Sequence, residues 1–208
     1  MLLGAYMLGS IPFAQMIART QGVDLRKVGS GNVGAGNLTS QVGRGWGALA
    51  ALLDFAKGFV PVYIARKAGL GPGAAGLVGV ASVVGHNWSI WMKGRSGRGL
   101  ATSAGLLMAL SPALIVWVAG WALVGWKIGG GVAGFLGWGL LPFVSVLLRQ
   151  PITLSLVLLL LAVVLIGRRI QGNPDDLWER QTMLRRAVFD TDPIHQEFPE
   201  AVEDPLTP

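Results

Sequence analysis

Two glycine-rich runs, one intramembrane charge pair and one histidine hold the residues able to do chemistry. Gly29-Ser30-Gly31-Asn32-Val33-Gly34-Ala35-Gly36-Asn37 puts four glycines, two asparagines and a serine just after Asp24-Leu25-Arg26-Lys27, with Val28 between. Successive backbone N–H groups in such a run can curl into a nest that holds an anion, although a glycine-rich turn between two elements would look the same. The spacing fits neither the P-loop nor the dinucleotide fingerprint. Lys93-Gly94-Arg95-Ser96-Gly97-Arg98-Gly99-Leu100-Ala101-Thr102 is a second glycine-and-cation run leading into a predicted helix. The free N–H groups and positive dipole end there favour a phosphate; the plainer reading, cations flanking a membrane span, leaves Ser96, Gly97 and Gly99 unexplained.

Asp54 and Lys57 stand three apart, on one face of a predicted helix and inside an apolar run. Ionisable groups at that depth are costly and default to function, with a structural ion pair as the alternative. His86 closes a later apolar run as a general base, a phosphate ligand or a capped interfacial histidine. His86 and His195 are the only histidines and there is no cysteine, so neither a metal site nor thiolate chemistry is expected.

The elements that must position these residues are membrane helices. Of 208 residues 52% are hydrophobic and 13% charged, about half the charge of a soluble domain, and the mean hydropathy is +0.55. The first 167 residues carry 12 basic and 2 acidic groups, whereas nine acids crowd between Asp175 and Asp204, so the high pI belongs to a basic membrane domain and not to a nucleic-acid binder. Apolar runs predict seven spans: Leu2–Ala18, kinked at Pro12 and lacking a signal peptide's basic start and cleavage site; Trp46–Ala65; Pro72–Met92; Leu100–Leu110; Pro112–Trp126; Gly129–Leu148; and Ile152–Gly167. The fourth and fifth could instead be one bent span. With the N-terminus outside, thirteen Lys/Arg fall on the inner side against three outside, which puts both glycine loops and the C-terminus on the cytoplasmic side. Residues 1–168 form the membrane domain. Residues 169–208 form an acidic, proline-containing tail, with an amphipathic helix expected over 175–188.

Leu8-Gly9-Ser10-Ile11-Pro12-Phe13 followed by Gly29–Asn37 resembles the G-S-I-P-F and G-S-G-N-x-G-A-T-N motifs of the bacterial acyl-phosphate:glycerol-3-phosphate acyltransferases, the PlsY family. Asp54-Phe55-Ala56-Lys57-Gly58 looks like its D-x-x-K-G, and Gly85-His86 through Thr102 is similar to its G-H-x-x-P…G-G-K-G-V-A-T block at the same length. The resemblance implies seven helices in a bacterial inner membrane, an acyl phosphate donor supplied by a soluble enzyme, no cofactor, and lysophosphatidic acid and phosphate as products. The departures are Gly36 for Thr, Ser40 for an arginine, Ser89 for Pro, Gly94–Arg98 for F-K-G-G-K, and no clear H-x-E-N-type motif within Gly167–Asn173.

By that likeness, Gly29, Gly31, Gly34 and Asn37, with Ser30 and Asn32 as catalytic groups, would hold the acyl phosphate headgroup. Arg98 and the Gly97 and Gly99 amides, followed by Thr102, would hold the phosphate of glycerol 3-phosphate. Asp54, Lys57 and His86 would line the site, with Lys57 or His86 stabilising charge; either His86 or the donor's phosphate would take the proton. A catalytically weak paralogue that binds acyl phosphate and an organic-phosphate transporter are the rival readings, although no internal repeat marks a transporter.

Overall fold

The computed structural model describes residues 1–94, 96–128 and 130–171, and the expected helix over 175–188 lies outside them. The described residues are helical, with no strand among them. The first apolar run does not kink but breaks, into α1 (Leu2–Ser10) and α2 (Phe13–Thr20). Pro12 lacks an N–H and pushes the residue before it out of the helical region; Ile11 is accordingly extended, with φ −63° and ψ 118°. The chain then runs over 21–34 into α3 (Ala35–Gln41), a helix inside what the sequence reads as polar loop. α4 (Arg44–Lys67) is a single rod through the charge pair. α5 (Pro72–Asn87) opens on a proline, tolerated at the first turn, and stops before the expected Met92; a 3-10 turn at Ile90–Met92 completes the connection.

α6 (Leu100–Leu110) and α7 (Pro112–Ile128) are separate helices divided at Ser111, as the sequence indicates. The expected span 129–148 is instead two pieces, α8 (Gly130–Gly139) and α9 (Leu141–Leu147), with Pro142 in the first turn of the second. α10 (Ile152–Gln171) runs four residues beyond the expected end. Only α4 and α10, among the described helices, are long and apolar enough to cross a bilayer unaided.

α5 is the central helix, touched by α1, α4, α6 and α10. Its contact with α1 is backbone on backbone: a Cβ on Gly9 would meet the Ser82 carbonyl, and one on Gly85 the Tyr6 carbonyl. Gly58 and Gly105 do the same for α4 against α6, at the Thr102 and Phe55 carbonyls. Small residues allowing such approach are the usual means of helix association in lipid. Val62, Val83, Leu106, Leu107, Leu158 and Leu161 fill the core between these helices. A separate cluster of Ala14, Ala18, Leu25, Leu38 and Ala50 seats the 21–34 segment on α2, α3 and α4. Leu3, Leu52, Phe143, Leu147 and Val163 lie on the outside, a coat suited to hydrocarbon contact.

Candidate active site

The break between α1 and α2 leaves the carbonyls at the end of α1 without helical partners. Lys57 reaches them from the middle of α4: its Nζ donates to the Ile11 carbonyl at 2.7 Å and the Gly9 carbonyl at 3.2 Å. The same ammonium pairs with Asp54 Oδ1 at 2.7 Å and lies 5.1 Å from the centre of the Phe13 ring. Both partners are only 2% exposed, and the desolvated ammonium is met by two backbone carbonyls as well as by the carboxylate. α5 grips the spot through Ser82, whose hydroxyl donates to the Lys57 carbonyl at 2.8 Å.

His86 completes the group. Its Nδ1 is 3.2 Å from Lys57 Nζ and 3.5 Å from Asp54 Oδ1. The ammonium has three N–H groups for four neighbours, the Ile11 and Gly9 carbonyls, Asp54 and Nδ1, so the imidazole is held between Lys57 and Asp54 whichever ring nitrogen carries the proton. Nε2 faces Gly97: a Cβ there would collide with it and lie 3.1 Å from the Val33 carbonyl. The two glycine runs therefore touch each other beside the imidazole.

The first run is shaped by its neighbours. Gly29 and Gly31 adopt positive φ, 57° and 65°. Asn37 is buried and its amide is committed to the loop itself: it donates to the Leu25 and Val28 carbonyls and accepts from the Ser30 N–H. Gln15, buried on α2, accepts from the Leu25 N–H and donates to Asp24. Arg26 forks onto the Asp24 carboxylate, and these hydrogen bonds hold that carboxyl well below its ordinary 3.8 despite partial burial. Ser30 is on the exposed side, whereas Asn32 is half-buried with its amide against Gly34.

The second run enters α6 through Gly99, at φ 76° and without a side-chain cap, so the first-turn N–H groups remain available. Thr102 Oγ1 and both amide atoms of Asn87, which abuts Gly99, are buried with no partner among the described residues. Arg98 shares a cleft with Arg169, walled by Leu100, Phe135, Trp138 and Ile166. Leu100, Gly134 and Trp138 also line an adjoining apolar cavity of about 420 Å³ between α6, α7 and α8.

The structure thus brings Asp54, Lys57, His86 and Gly97 together with the first run at Val33, while Asn37 braces that run from behind. Of the departures, Ser89 is explained: it is buried, and its hydroxyl bonds the Ser10 carbonyl at the helix break. Ser40 is exposed and bonds within its own helix, and a Cβ on Gly36 would meet nothing within 4 Å. Sequence reasoning missed Gln15, Arg168 and Arg169. The arginines close an apolar run, which the positive-inside rule explains without assigning them work.

A family model described as glycerol-3-phosphate acyltransferase matches residues 1–179. Among curated relatives, a glycerol-3-phosphate acyltransferase of Thermus thermophilus is 47% identical over 116 residues, 56% of this chain and 58% of that one. That of Geobacter sulfurreducens is 34% identical over 170 residues, 79% and 87% of the two chains. The chain spans 55% to 62% of the length of the first relatives it matches. A crystal structure of PlsY (YgiH), an integral membrane glycerol 3-phosphate acyltransferase, in its glycerol 3-phosphate form superimposes with TM-score 0.76 at 34% identity, covering 81% of this chain and 86% of that one. The lysophosphatidic acid form gives 0.76 at 31%, covering 88% of each.

Proposed function

The chain belongs to the glycerol-3-phosphate acyltransferase family, and on that premise we propose that it moves a fatty acyl group from acyl phosphate to glycerol 3-phosphate, releasing lysophosphatidic acid and phosphate. The observation that carries the reading is the meeting of the two glycine runs at Gly97 and Val33, beside His86 and the buried Lys57. Two anion-type loops in contact suit a reaction in which two phosphate-bearing substrates must be held side by side. The glycerol 3-phosphate and lysophosphatidic acid forms of the solved relatives support the acceptor and the product.

An acyl phosphate is a mixed anhydride and needs no enzyme nucleophile. The glycerol hydroxyl oxygen adds to the carbonyl carbon, the bond from that carbon to the phosphate oxygen breaks, and the hydroxyl proton passes to the departing phosphate. Holding both partners can supply roughly 7–11 kcal/mol of the barrier. The first run, with Ser30, Asn32 and the N–H groups around Gly29, Gly31 and Gly34, takes the donor's phosphate. Arg98, the Gly97 and Gly99 amides and the unpartnered Thr102 hydroxyl take the acceptor's. His86, beside Lys57 at Nδ1 and turned towards Gly97 at Nε2, serves as an Nε2–H donor to developing negative charge, which leaves the hydroxyl proton to the phosphate. Asn37 and Asp54 act one step back, on the loop and on Lys57. The acyl chain lies in the cavity between α6, α7 and α8, and the site faces the cytoplasm of a bacterial cell.

The test is purified protein with labelled glycerol 3-phosphate and either synthetic acyl phosphate or acyl-CoA. Lysophosphatidic acid is expected from acyl phosphate alone. Product from acyl-CoA would overturn the donor; glycerol 3-phosphate binding without product would leave a non-catalytic paralogue, and its uptake into proteoliposomes a transporter.

A further inference from the structure

α10 ends beside the second glycine run, and its arginine makes the contact. Arg168 is 4% exposed. Its Nη2 donates to the Ser96 carbonyl at 2.8 Å and its Nε to the Gly97 carbonyl at 3.3 Å. We propose that Arg168 is a positioning residue, which sets the direction of the second run's amides and thereby the affinity for the phosphate of glycerol 3-phosphate. The inference rests on the reading that this run is the acceptor's phosphate site.

The reason is peptide geometry. In a planar trans peptide the carbonyl and the following N–H point in opposite directions. Fixing the Ser96 carbonyl on Arg168 turns the Gly97 N–H away from α10, and fixing the Gly97 carbonyl does the same for the Arg98 N–H. Gly94, Gly97 and Gly99 leave this segment little stiffness of its own, two of them standing at positive φ. A guanidinium is suited to hold it, because its planar fork meets two successive carbonyls at once while a lysine ammonium is a point donor. Two neighbouring contacts hold α10 in register for this. Arg169 Nη1 donates to the Gly131 carbonyl of α8 at 2.8 Å, and Trp88 Nε1 donates to Gln171 Oε1 at 2.8 Å.

Glycerol 3-phosphate binding by the purified chain, measured calorimetrically without any acyl donor, reads the inference independently of turnover. Arg168→Gln should weaken it at least tenfold, Arg168→Lys should recover part of the loss, and millimolar guanidinium should restore Arg168→Ala. In the coupled assay the KM for glycerol 3-phosphate should rise while that for acyl phosphate holds. Unchanged binding in Arg168→Gln, or KM values that rise together with no guanidinium rescue, overturns the proposal. If Arg168→Ala does not fold, the lysine variant decides: full wild-type affinity refutes the need for a fork. Wild-type binding without turnover removes the proposed function and leaves Arg168 testable; no wild-type binding removes both.

Discussion

Lys57 is the residue on which the site turns, because it holds Asp54, the broken end of α1 and His86 Nδ1 with one ammonium. Lys57→Met would leave a buried carboxylate unpaired, a change worth roughly 3–5 kcal/mol. A lowered melting temperature in detergent and loss of turnover are the expected outcomes, whereas His86→Ala should melt closer to wild type than Lys57→Met does and lose on the order of 10²–10³ in kcat, as when one donor to a developing oxyanion is removed. Asp24 gives a pH signature. Its folded-state value is depressed by Arg26, so its stabilisation is complete above about pH 4 and falls away as acid carries the group towards its lowered value. Melting curves from pH 6 to pH 2 should show an acid-side loss that Asp24→Asn lacks. The Asp54–Lys57 pairing was legible because i, i+3 spacing is a property of one helix. The work of Asn37 was not: a side-chain amide in a glycine loop can serve a ligand or the backbone equally well, and only the Leu25 and Val28 carbonyls decide for the backbone.

Helix breaks, more than helices, make the site. Pro12 marks the first break in the sequence, but its use does not show there, since the liberated carbonyls are met by a lysine 46 and 48 residues further on. The break between α8 and α9 was hidden because an apolar run of span length looks the same whether or not it is continuous. Its result is a short α8 that lets Gly134 face both the Arg98–Arg169 cleft and the apolar cavity. A Cβ at Gly134 would have only Arg169 within 4 Å, at 3.6 Å, so a larger side chain can enter the space without a backbone clash. Gly134→Leu should shift the preferred acyl donor towards shorter chains. A series of saturated acyl phosphates, compared by kcat/KM, checks it; an unshifted series would move the acyl chain elsewhere.

At the scale of the molecule, contact between the two glycine runs fixes their relative placement: Gly97 against the Val33 carbonyl requires both on one face of the bundle. The positive-inside rule predicts the direction: an N-terminus outside would put thirteen of the sequence's Lys/Arg residues on that side. A count of seven depends on the stretch between Lys93 and Arg149: α6 and α7 as separate crossings, with α8 and α9 together as a third, would carry the chain to the opposite face. Were α6 and α7 one bent crossing, Arg149 would return to the side of Lys93. The protein has no cysteine, so single cysteines report cleanly. Ser30, Lys93 and Arg149 are all exposed. In intact cells an impermeant maleimide should label Arg149→Cys and spare Ser30→Cys and Lys93→Cys, and inverted membrane vesicles should reverse the pattern. Labelling of Ser30→Cys and Lys93→Cys from opposite sides would be incompatible with the loop contact. Labelling of Arg149→Cys together with Lys93→Cys would reduce the crossings to six and return the end of α10, with Arg168, to the outer face, leaving the Arg168–Ser96 contact no membrane topology that could contain it.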